Sequence, residues 1–267
     1  MLSTHKLSQK QLITIALFYA EAGVNWVFEP EKLKKSIKLH EAYMPTKNVS
    51  LPKYIESKTT TLPFLDSGII EKAQSVAKKS LTLIQLKSGI SSFNSLVLKN
   101  NTLSTICAHQ TGEESGLMVI GYTPSREDEK RGKAFSGKAG HMLDQMLKSI
   151  GLVRQKICVS MIIPWCPTGN RKLENIEIEA CRPFIERQIE LVSPRFILLL
   201  GNSSSQFFFG KDCLLHANRN KWSEIYIAGK KIPTLSTLHP QELFISPLSK
   251  KLAWHDLIIL KTAFDNT

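Results

Sequence analysis

The sequence is short of the features that define several large classes of protein. It contains only five cysteines in 267 residues, an odd number with no Cys-x-x-Cys pair, which argues against a disulfide framework. No apolar run approaches the roughly 18 residues needed to span a bilayer. The opening MLSTHKLSQKQ also lacks the apolar core of a signal peptide. We therefore expect a cytoplasmic protein without a membrane segment.

Acidic residues are scarce relative to basic ones. There are 23 Asp and Glu against 35 Lys and Arg, which gives a formal net charge of +12. Such an excess favours a polyanionic partner such as nucleic acid or an anionic membrane surface, although a lysine-rich genome produces it without any function. The composition is otherwise that of a globular protein, large enough for one α/β domain with an appendage.

The pattern of apolar residues divides the chain into two parts. Residues 7–28 have helical spacing, residues 29–65 have the composition of an exposed linker, and a second helix is predicted over Ile69–Leu86. Further on, short apolar strands alternate with helices, which is typical of a mostly parallel sheet covered on both faces. Strands are predicted at GLMVIGY, KICVSMIIPW, PRFILLLG and KKIPTLSTLHP, and helices at GHMLDQMLKSIGL, NIEIEACRPFIERQIELV, SSSQFFFG and LSKKLAWHDLIILKTAF. We accordingly predict an N-terminal helical extension over residues 1–90 and an α/β domain over residues 91–267.

Three loops follow predicted strands, at Gly121–Gly140, Pro164–Arg171 and Leu238–Phe244. Open α/β sheets bind ligands at the carboxyl ends of their strands, which is where these loops lie. The first loop is rich in small residues that let the backbone approach a ligand closely. The third contains His239, which can act as a donor at the rim of a site, although a single histidine is more often structural.

Four motifs occur in an order that resembles the family-4 uracil-DNA glycosylases. They are GYTPSREDEKRGKAFSGKAGHMLDQML, PWCPTGNR, ACRPFIERQIELVSPR and TLHP. The resemblance runs from about Leu117 to the C-terminus, and LFYAEAGV near the start is similar to the N-terminal helix of one bacterial branch. It implies a three-layer αβα sandwich with a mostly parallel central sheet. The implied activity is hydrolysis of the N-glycosidic bond of uracil in DNA.

The chemistry of that family needs four groups around a base that has been flipped out of the duplex. An aromatic ring stacks on the base, and an amide reads its edge. A histidine donates to the charge that develops on O2, while a carboxylate positions water or stabilises the sugar cation. The resemblance assigns the stacking ring to Phe135 and the O2 donor to His239, and it counts Gly121 among the base-binding residues.

The other two groups depart from the family pattern. Tyr122 stands where the family has a glutamate, and a phenol, which is mostly neutral at physiological pH, can hold a water but cannot supply the charge. Asp128 falls on a further position usually occupied by glutamate and could compensate in part. Met161 occupies the base-binding position at which the family has the asparagine that reads uracil. Discrimination of about 1–3 kcal/mol, typical of a bidentate base contact, should therefore be absent.

The family's [4Fe–4S] cluster also lacks its ligands in this sequence. Only Cys181 matches one of the four cysteine positions, because the others hold Phe93, Leu96 or Val97, and Trp165. A cluster with fewer than three thiolates is poorly supported. We expect no cofactor and no metal.

The loops contain residues suited to DNA. Arg171 and Lys172 could contact phosphates, although the same charges also suit an ordinary solvated loop. Leu243 or Phe244 corresponds to the apolar wedge that fills the gap left by a flipped base. We predict a monomeric DNA repair enzyme that removes uracil, or another deaminated base such as hypoxanthine or xanthine, with activity weakened by the two departures. The alternative is a non-catalytic DNA-binding or lesion-sensing homologue.

Overall fold

The structure is a computed structural model that describes residues 64–100, 102–108 and 116–266. The helix predicted over residues 7–28 lies outside the described residues, as does the predicted linker apart from its last two residues. From Phe64 onward the chain clusters into one compact unit. None of the described helices is long and apolar enough to cross a membrane.

A five-stranded sheet lies at the centre of this unit. Its strands are β1 (Leu117–Gly121), β2 (Cys158–Met161), β3 (Phe196–Leu200), β4 (Trp222–Ile227) and β5 (Lys230–Thr237). Their spatial order is β2-β1-β3-β5-β4, with β4 antiparallel to β5 and the other neighbours parallel. The four strands predicted from the sequence are confirmed, but each is shorter than predicted, and the difference is largest for β2.

Strand β4 is absent from the sequence-based prediction. It pairs with β5 through a turn at residues 228–229, where both residues have positive φ. Its side chains alternate, with Ile225 and Ile227 buried and Glu224 and Tyr226 exposed, as in an edge strand covered on one face. The turn has Ala-Gly in place of the Asn-Gly or Asp-Gly that usually marks such a hairpin, so the sequence gives little local signal.

Helices cover both faces of the sheet. They are α1 (Phe64–Lys79), α2 (Leu83–Ser91), α3 (Val97–Asn100), α4 (Arg126–Arg131), α5 (Lys138–Ser149), α6 (Asn175–Val192), α7 (Asn202–Phe209), α8 (Leu215–Asn218), α9 (Glu242–Ile245) and α10 (Pro247–Asp265). Apolar residues of α1, α2 and α6 share one core with Met118 and Ile120 of β1. Val119 alternates to the other face, and α10 packs against β5. The predicted three-layer αβα sandwich is confirmed.

The helix predicted over Ile69–Leu86 is in fact two helices. Helix α1 ends at Lys79, and Thr82 then caps α2, where its hydroxyl oxygen accepts a hydrogen bond from the Gln85 N–H at 3.2 Å. An N-cap residue has an extended backbone, so a continuous helix cannot pass through it. Both helices contribute to the core that contains α6. The division of the chain at residues 90 and 91 stays a prediction.

A buried ion pair anchors the end of β5. The fully buried Asp256 of α10 accepts hydrogen bonds from Arg219 Nε at 2.9 Å and from Thr237 Oγ1 at 2.6 Å. A buried charge is tolerated only with such partners. Because Thr237 is the last residue of β5, the loop that carries His239 starts from a fixed point.

Candidate active site

Asp128 orders the loop that follows β1. Part of this predicted loop is the short helix α4, which begins with a capping box. The Asp128 N–H donates to Ser125 Oγ at 3.2 Å, and the Ser125 N–H donates back to Asp128 Oδ2 at 2.8 Å. Asp128 Oδ1 accepts from the Ser136 N–H at 2.5 Å. Both oxygens of this buried carboxylate are thus bound to backbone amides, and a catalytic role for Asp128 stays a prediction.

Three residues assigned to base binding meet at the carboxyl ends of β1 and β2. A Cβ atom on Gly121 would lie 2.6 Å from Met161 Sδ and 2.7 Å from Phe135 Cζ, so a larger residue would displace both side chains. Phe135 has a φ of 53°, which is rare for a bulky residue, and such backbone strain concentrates at functional sites. Phe135 and Met161 are both buried. The thioether and the aromatic ring therefore crowd the same point of the backbone.

His239 lies beside this group, on the loop after β5. Its ring centroid is 5.7 Å from that of Phe135. Its Nδ1 accepts a hydrogen bond from the Gln241 N–H at 3.2 Å, so in the neutral imidazole the proton is on Nε2. Burial lowers the pKa of His239 from its ordinary value, against smaller opposing effects of Glu242 and Asp128. The site therefore holds a neutral imidazole with Nε2 as its donor.

Tyr122 faces the other side of the sheet. Successive side chains of a strand alternate between its faces. Gly121 faces Phe135, whereas Tyr122 packs against the core that contains Ile120 and α6. Burial raises the pKa of Tyr122, with a smaller contribution from Cys181 of α6. This placement does not favour the catalytic role assigned to Tyr122, which stays a prediction.

The positions aligned with cluster ligands hold a packed aromatic group. Phe93 stacks on Trp165 with ring centroids 6.3 Å apart, and both rings meet Phe184 edge-on. The fully buried Cys181 belongs to the same core, and burial raises the pKa of its thiol, which disfavours the thiolate that iron needs. Within the described residues, no group of three or more His, Cys, Asp and Glu could hold a metal ion. The residues present do not fit an iron–sulfur cluster.

We expect the protein purified without air to lack the brown colour and broad visible absorbance of an iron–sulfur cluster. The reason is that aromatic side chains fill the aligned positions and leave one matching thiol, Cys181. Absorbance spectra with iron and sulfide assays check this. Stoichiometric iron and sulfide in the anaerobic protein would contradict it.

A basic cleft of about 480 Å³ lies between the loops after β1 and β2. Its lining includes Tyr122, Arg126, Cys166, Arg171 and Lys172. Arg171 donates to both carboxylate oxygens of Glu177, at 2.8 and 2.5 Å, so its charge is paired within the protein. Lys172 is exposed. Of the two residues predicted to contact phosphates, Lys172 is therefore the better candidate, because the charge of Arg171 is already paired with Glu177.

The loop after His239 presents an apolar tip to solvent. Within α9, Leu243 is fully buried, whereas Phe244 is 53% and Ile245 is 84% exposed. Of the two wedge candidates, Leu243 therefore lies in the core and Phe244 at the surface. Phe244 also lines a second cleft, of about 350 Å³, with Lys138. The sequence analysis did not consider Ile245 as part of this apolar tip, although Ile245 follows directly after the wedge candidate Phe244.

Sequence reasoning also missed Arg154, which donates hydrogen bonds to the backbone carbonyls of Ala134 and Phe135. The partners are backbone atoms about twenty residues away along the chain. No local pattern of residue types marks such a contact.

The mostly parallel sheet and the loops at its carboxyl edge belong to a chain that matches a known family of base-excising enzymes. Residues 109–258 match the model of the uracil DNA glycosylase superfamily. The match covers more than half of the chain, and the chain belongs to this superfamily. The resemblance inferred from the motifs is confirmed.

Curated relatives carry the name type-4 uracil-DNA glycosylase. The chain is 31% identical over 150 residues to the protein of Sulfurisphaera tokodaii, covering 52% of this chain and 66% of that protein. It is 30% identical over 139 residues to the protein of Archaeoglobus fulgidus, covering 51% and 70%. It is 32% identical over 155 residues to the protein of Saccharolobus solfataricus, covering 56% and 72%. The chain thus spans about two thirds of the length of these relatives.

Proposed function

We propose that this protein is a DNA glycosylase that hydrolyses the N-glycosidic bond of uracil, or of another deaminated base, in DNA. The observation that carries the proposal is the approach of the His239 and Phe135 rings, 5.7 Å apart, in a chain of this superfamily. The names of the relatives support the same reaction class. We also propose that the protein acts as a cytoplasmic monomer.

The proposed reaction begins when the target base leaves the stack and packs against the Phe135 ring. When the base is uracil, the bond between N1 and C1′ breaks, and its electron pair leaves with the base, where charge collects on O2. The Nε2–H of His239 donates to that oxygen, and a preorganised donor in a dry site stabilises such an anion strongly. Water then adds to C1′ and gives up a proton to solvent, and the base anion takes up a proton from solvent.

The carboxylate of the family mechanism has no counterpart at Tyr122. Asp128 is acidic, but both of its oxygens accept hydrogen bonds from backbone amides. In this proposal, anion stabilisation at His239 and stacking on Phe135 supply most of the acceleration. We therefore expect slower excision than in an enzyme with glutamate at the position of Tyr122.

Met161 bears on which base is removed. A thioether is only a weak acceptor and cannot donate, so it does not read the N3 and O4 edge of uracil. Its sulfur approaches the Gly121 position together with the Phe135 ring. A pocket of this kind would discriminate weakly among deaminated bases, which supports a substrate class broader than uracil.

The test is excision from duplex and single-stranded oligonucleotides that contain uracil, hypoxanthine or xanthine. The purified protein should release at least one of these bases, and Phe135→Ala should release it more slowly because the stacking surface is lost. A matched oligonucleotide without a lesion should stay intact. If none of the three bases is released, the protein is not a glycosylase of this class.

A non-catalytic DNA-binding or lesion-sensing role is the second candidate. It is favoured by two observations, the packing of Tyr122 against the opposite face and the engagement of the Asp128 carboxylate with backbone amides. This candidate predicts tighter binding to lesion-containing DNA than to matched DNA, with no excision. The glycosylase proposal predicts excision of the same oligonucleotides.

DNA affinity should fall steeply with salt, because binding to phosphates releases counterions. If roughly four phosphates are contacted, the binding constant should fall about 10²-fold between 50 and 200 mM salt. Titration of a labelled duplex at several salt concentrations measures this. Lys172→Ala should reduce the slope by about one. The control Lys230→Ala, at the amino end of β5, should not change it. A salt-independent affinity would contradict the proposed DNA surface.

A further inference from the structure

Arg154 holds the backbone on which the Phe135 ring is mounted. It lies in the short 3-10 turn Arg154–Lys156 that precedes β2. Its Nη1 donates to the Phe135 carbonyl oxygen at 2.7 Å, and its Nη2 donates to the Ala134 carbonyl oxygen. The planar guanidinium thus bonds two consecutive carbonyls, which suits its rigid fork of donors.

Other groups fix the same carbonyl and the same guanidinium. A Cβ atom on Gly140, in the first turn of α5, would lie 1.8 Å from the Phe135 carbonyl oxygen, so the helix backbone packs directly against it. Asp144 of α5 pairs with Arg154 Nη1 at 3.3 Å. Arg154 Nε is buried and makes no hydrogen bond within the described residues. A buried donor without a partner is unfavourable, and the hydrogen bonds that the structure shows for this side chain are all made by its two Nη groups.

We propose that Arg154 is a positioning residue that maintains the left-handed backbone of Phe135 and so sets the plane on which the flipped base stacks. The proposal rests on the proposed glycosylase function. At a φ of 53° a phenylalanine is strained, and the surrounding structure must hold it there. Without the two hydrogen bonds, Phe135 relaxes toward negative φ. Its ring then turns away from His239, which it now meets at 5.7 Å.

The first variant is Arg154→Met, which keeps an apolar stem of similar reach but removes both hydrogen bonds. A displaced stacking surface should slow single-turnover excision about 10- to 100-fold, since small misplacements of substrate have effects of this size. Arg154→Lys should recover only part of the rate, because an ammonium group does not reproduce a planar fork. If Arg154→Met does not fold, Gly140→Ala displaces the same carbonyl, because its Cβ would lie 1.8 Å from that oxygen, and it should slow excision similarly.

Arg187 provides a matched control for lost stability. Its Nε and Nη2 donate to the Ser80 carbonyl oxygen at 3.0 and 2.8 Å, and Nη1 pairs with Glu190. Its side chain is 18% exposed, against 14% for Arg154. Arg187→Met therefore removes comparable bonds between α6 and the end of α1. It should lower the unfolding temperature with little change in the excision rate.

A double-mutant cycle with Phe135→Ala separates positioning from a general loss of stability. Once the ring is gone, Arg154→Met should slow excision by less than about twofold further, because Arg154 acts through that ring. Fluorescence of 2-aminopurine placed beside the lesion reports base flipping in the same variants, whether or not excision follows.

The outcomes distinguish this proposal from the proposed function. Suppose that the natural protein excises the base. The positioning role alone is then overturned if Arg154→Met leaves the excision rate unchanged, or if the rate losses of Arg154→Met and Phe135→Ala multiply in the double variant. A flipping signal without excision overturns the glycosylase function, and the loss of that signal in Arg154→Met then still supports positioning. Neither signal nor excision in the natural protein overturns both.

Discussion

Replacing His239 by alanine is expected to slow uracil excision by about 10²–10³-fold, because the donor to the developing charge on O2 is lost. The neutral imidazole is oriented by the Gln241 N–H on Nδ1, which leaves Nε2 as the donor. Affinity for DNA without a lesion should not change, since this contact forms only with a flipped base. Single-turnover rates and duplex titrations measure the two effects separately.

Two comparisons sharpen this experiment. His216→Ala, at an exposed position of α8, should leave the rate unchanged. Burial lowers the pKa of His239, so the ring protonates only at a pH below its ordinary value of about 6.5. The neutral ring is the proposed donor, so the rate should rise, not fall, as the pH rises through the range below that value in which the ring loses its proton. A fall there that is absent from His239→Ala would mean that the imidazolium is the working form.

Replacing Met161 by asparagine is expected to raise uracil excision by at least about tenfold, because an amide can bond the N3 and O4 edge of the base. Met161 Sδ and the Phe135 ring both approach the backbone at Gly121. In the proposed mechanism the amide would therefore lie beside the ring on which the base stacks. The gain should be larger for uracil than for hypoxanthine, because hypoxanthine carries a similar N1–H and O6 edge on a larger purine ring, which places that edge differently relative to C1′. Parallel excision assays on the two substrates measure it. The free energy of unfolding should fall by about 1–3 kcal/mol, because the buried amide has no partner without DNA.

The control for this variant is Met146→Asn, in which an equally buried methionine of α5 is changed. It should lose stability without any gain in excision. A Met161→Asn protein that folds but excises uracil no faster would show that the pocket does not read this edge. Adding Tyr122→Glu tests the other departure. Because Tyr122 packs on the opposite face, we expect little further gain, and a large one would establish a catalytic place for that carboxylate.

Much of the fold was predictable, because its strands and long helices carry periodic signals. The apolar run at β3 and the amphipathic run at α6 need only their own residues to be recognised. The break between α1 and α2 depends on one capping threonine inside a pattern that is otherwise continuous. Strand β4 depends on pairing with β5, and pairing is not a local property.

The candidate site was predictable where it rests on the order of motifs. Phe135 and His239, assigned from separate motifs, are neighbours in the structure. The sequence left Leu243 and Phe244 as equal candidates for the wedge, because both are apolar and adjacent. Their burial differs because α9 turns one side chain inward and the other outward.

The sequence by itself determined the family and the mostly parallel sheet, and it selected the two aromatic residues of the candidate site, because motif order and side-chain periodicity are properties of the chain alone. Only the tertiary structure decided what each charged or polar group is bound to. The Asp128 carboxylate accepts hydrogen bonds from backbone amides, and Tyr122 packs against the core that contains α6. Arg154 donates to the carbonyl oxygens of Ala134 and Phe135. The physical reason is that a hydrogen bond or a buried contact depends on atoms brought together across the fold. Residue type specifies what a side chain can bind, and folding selects the partner.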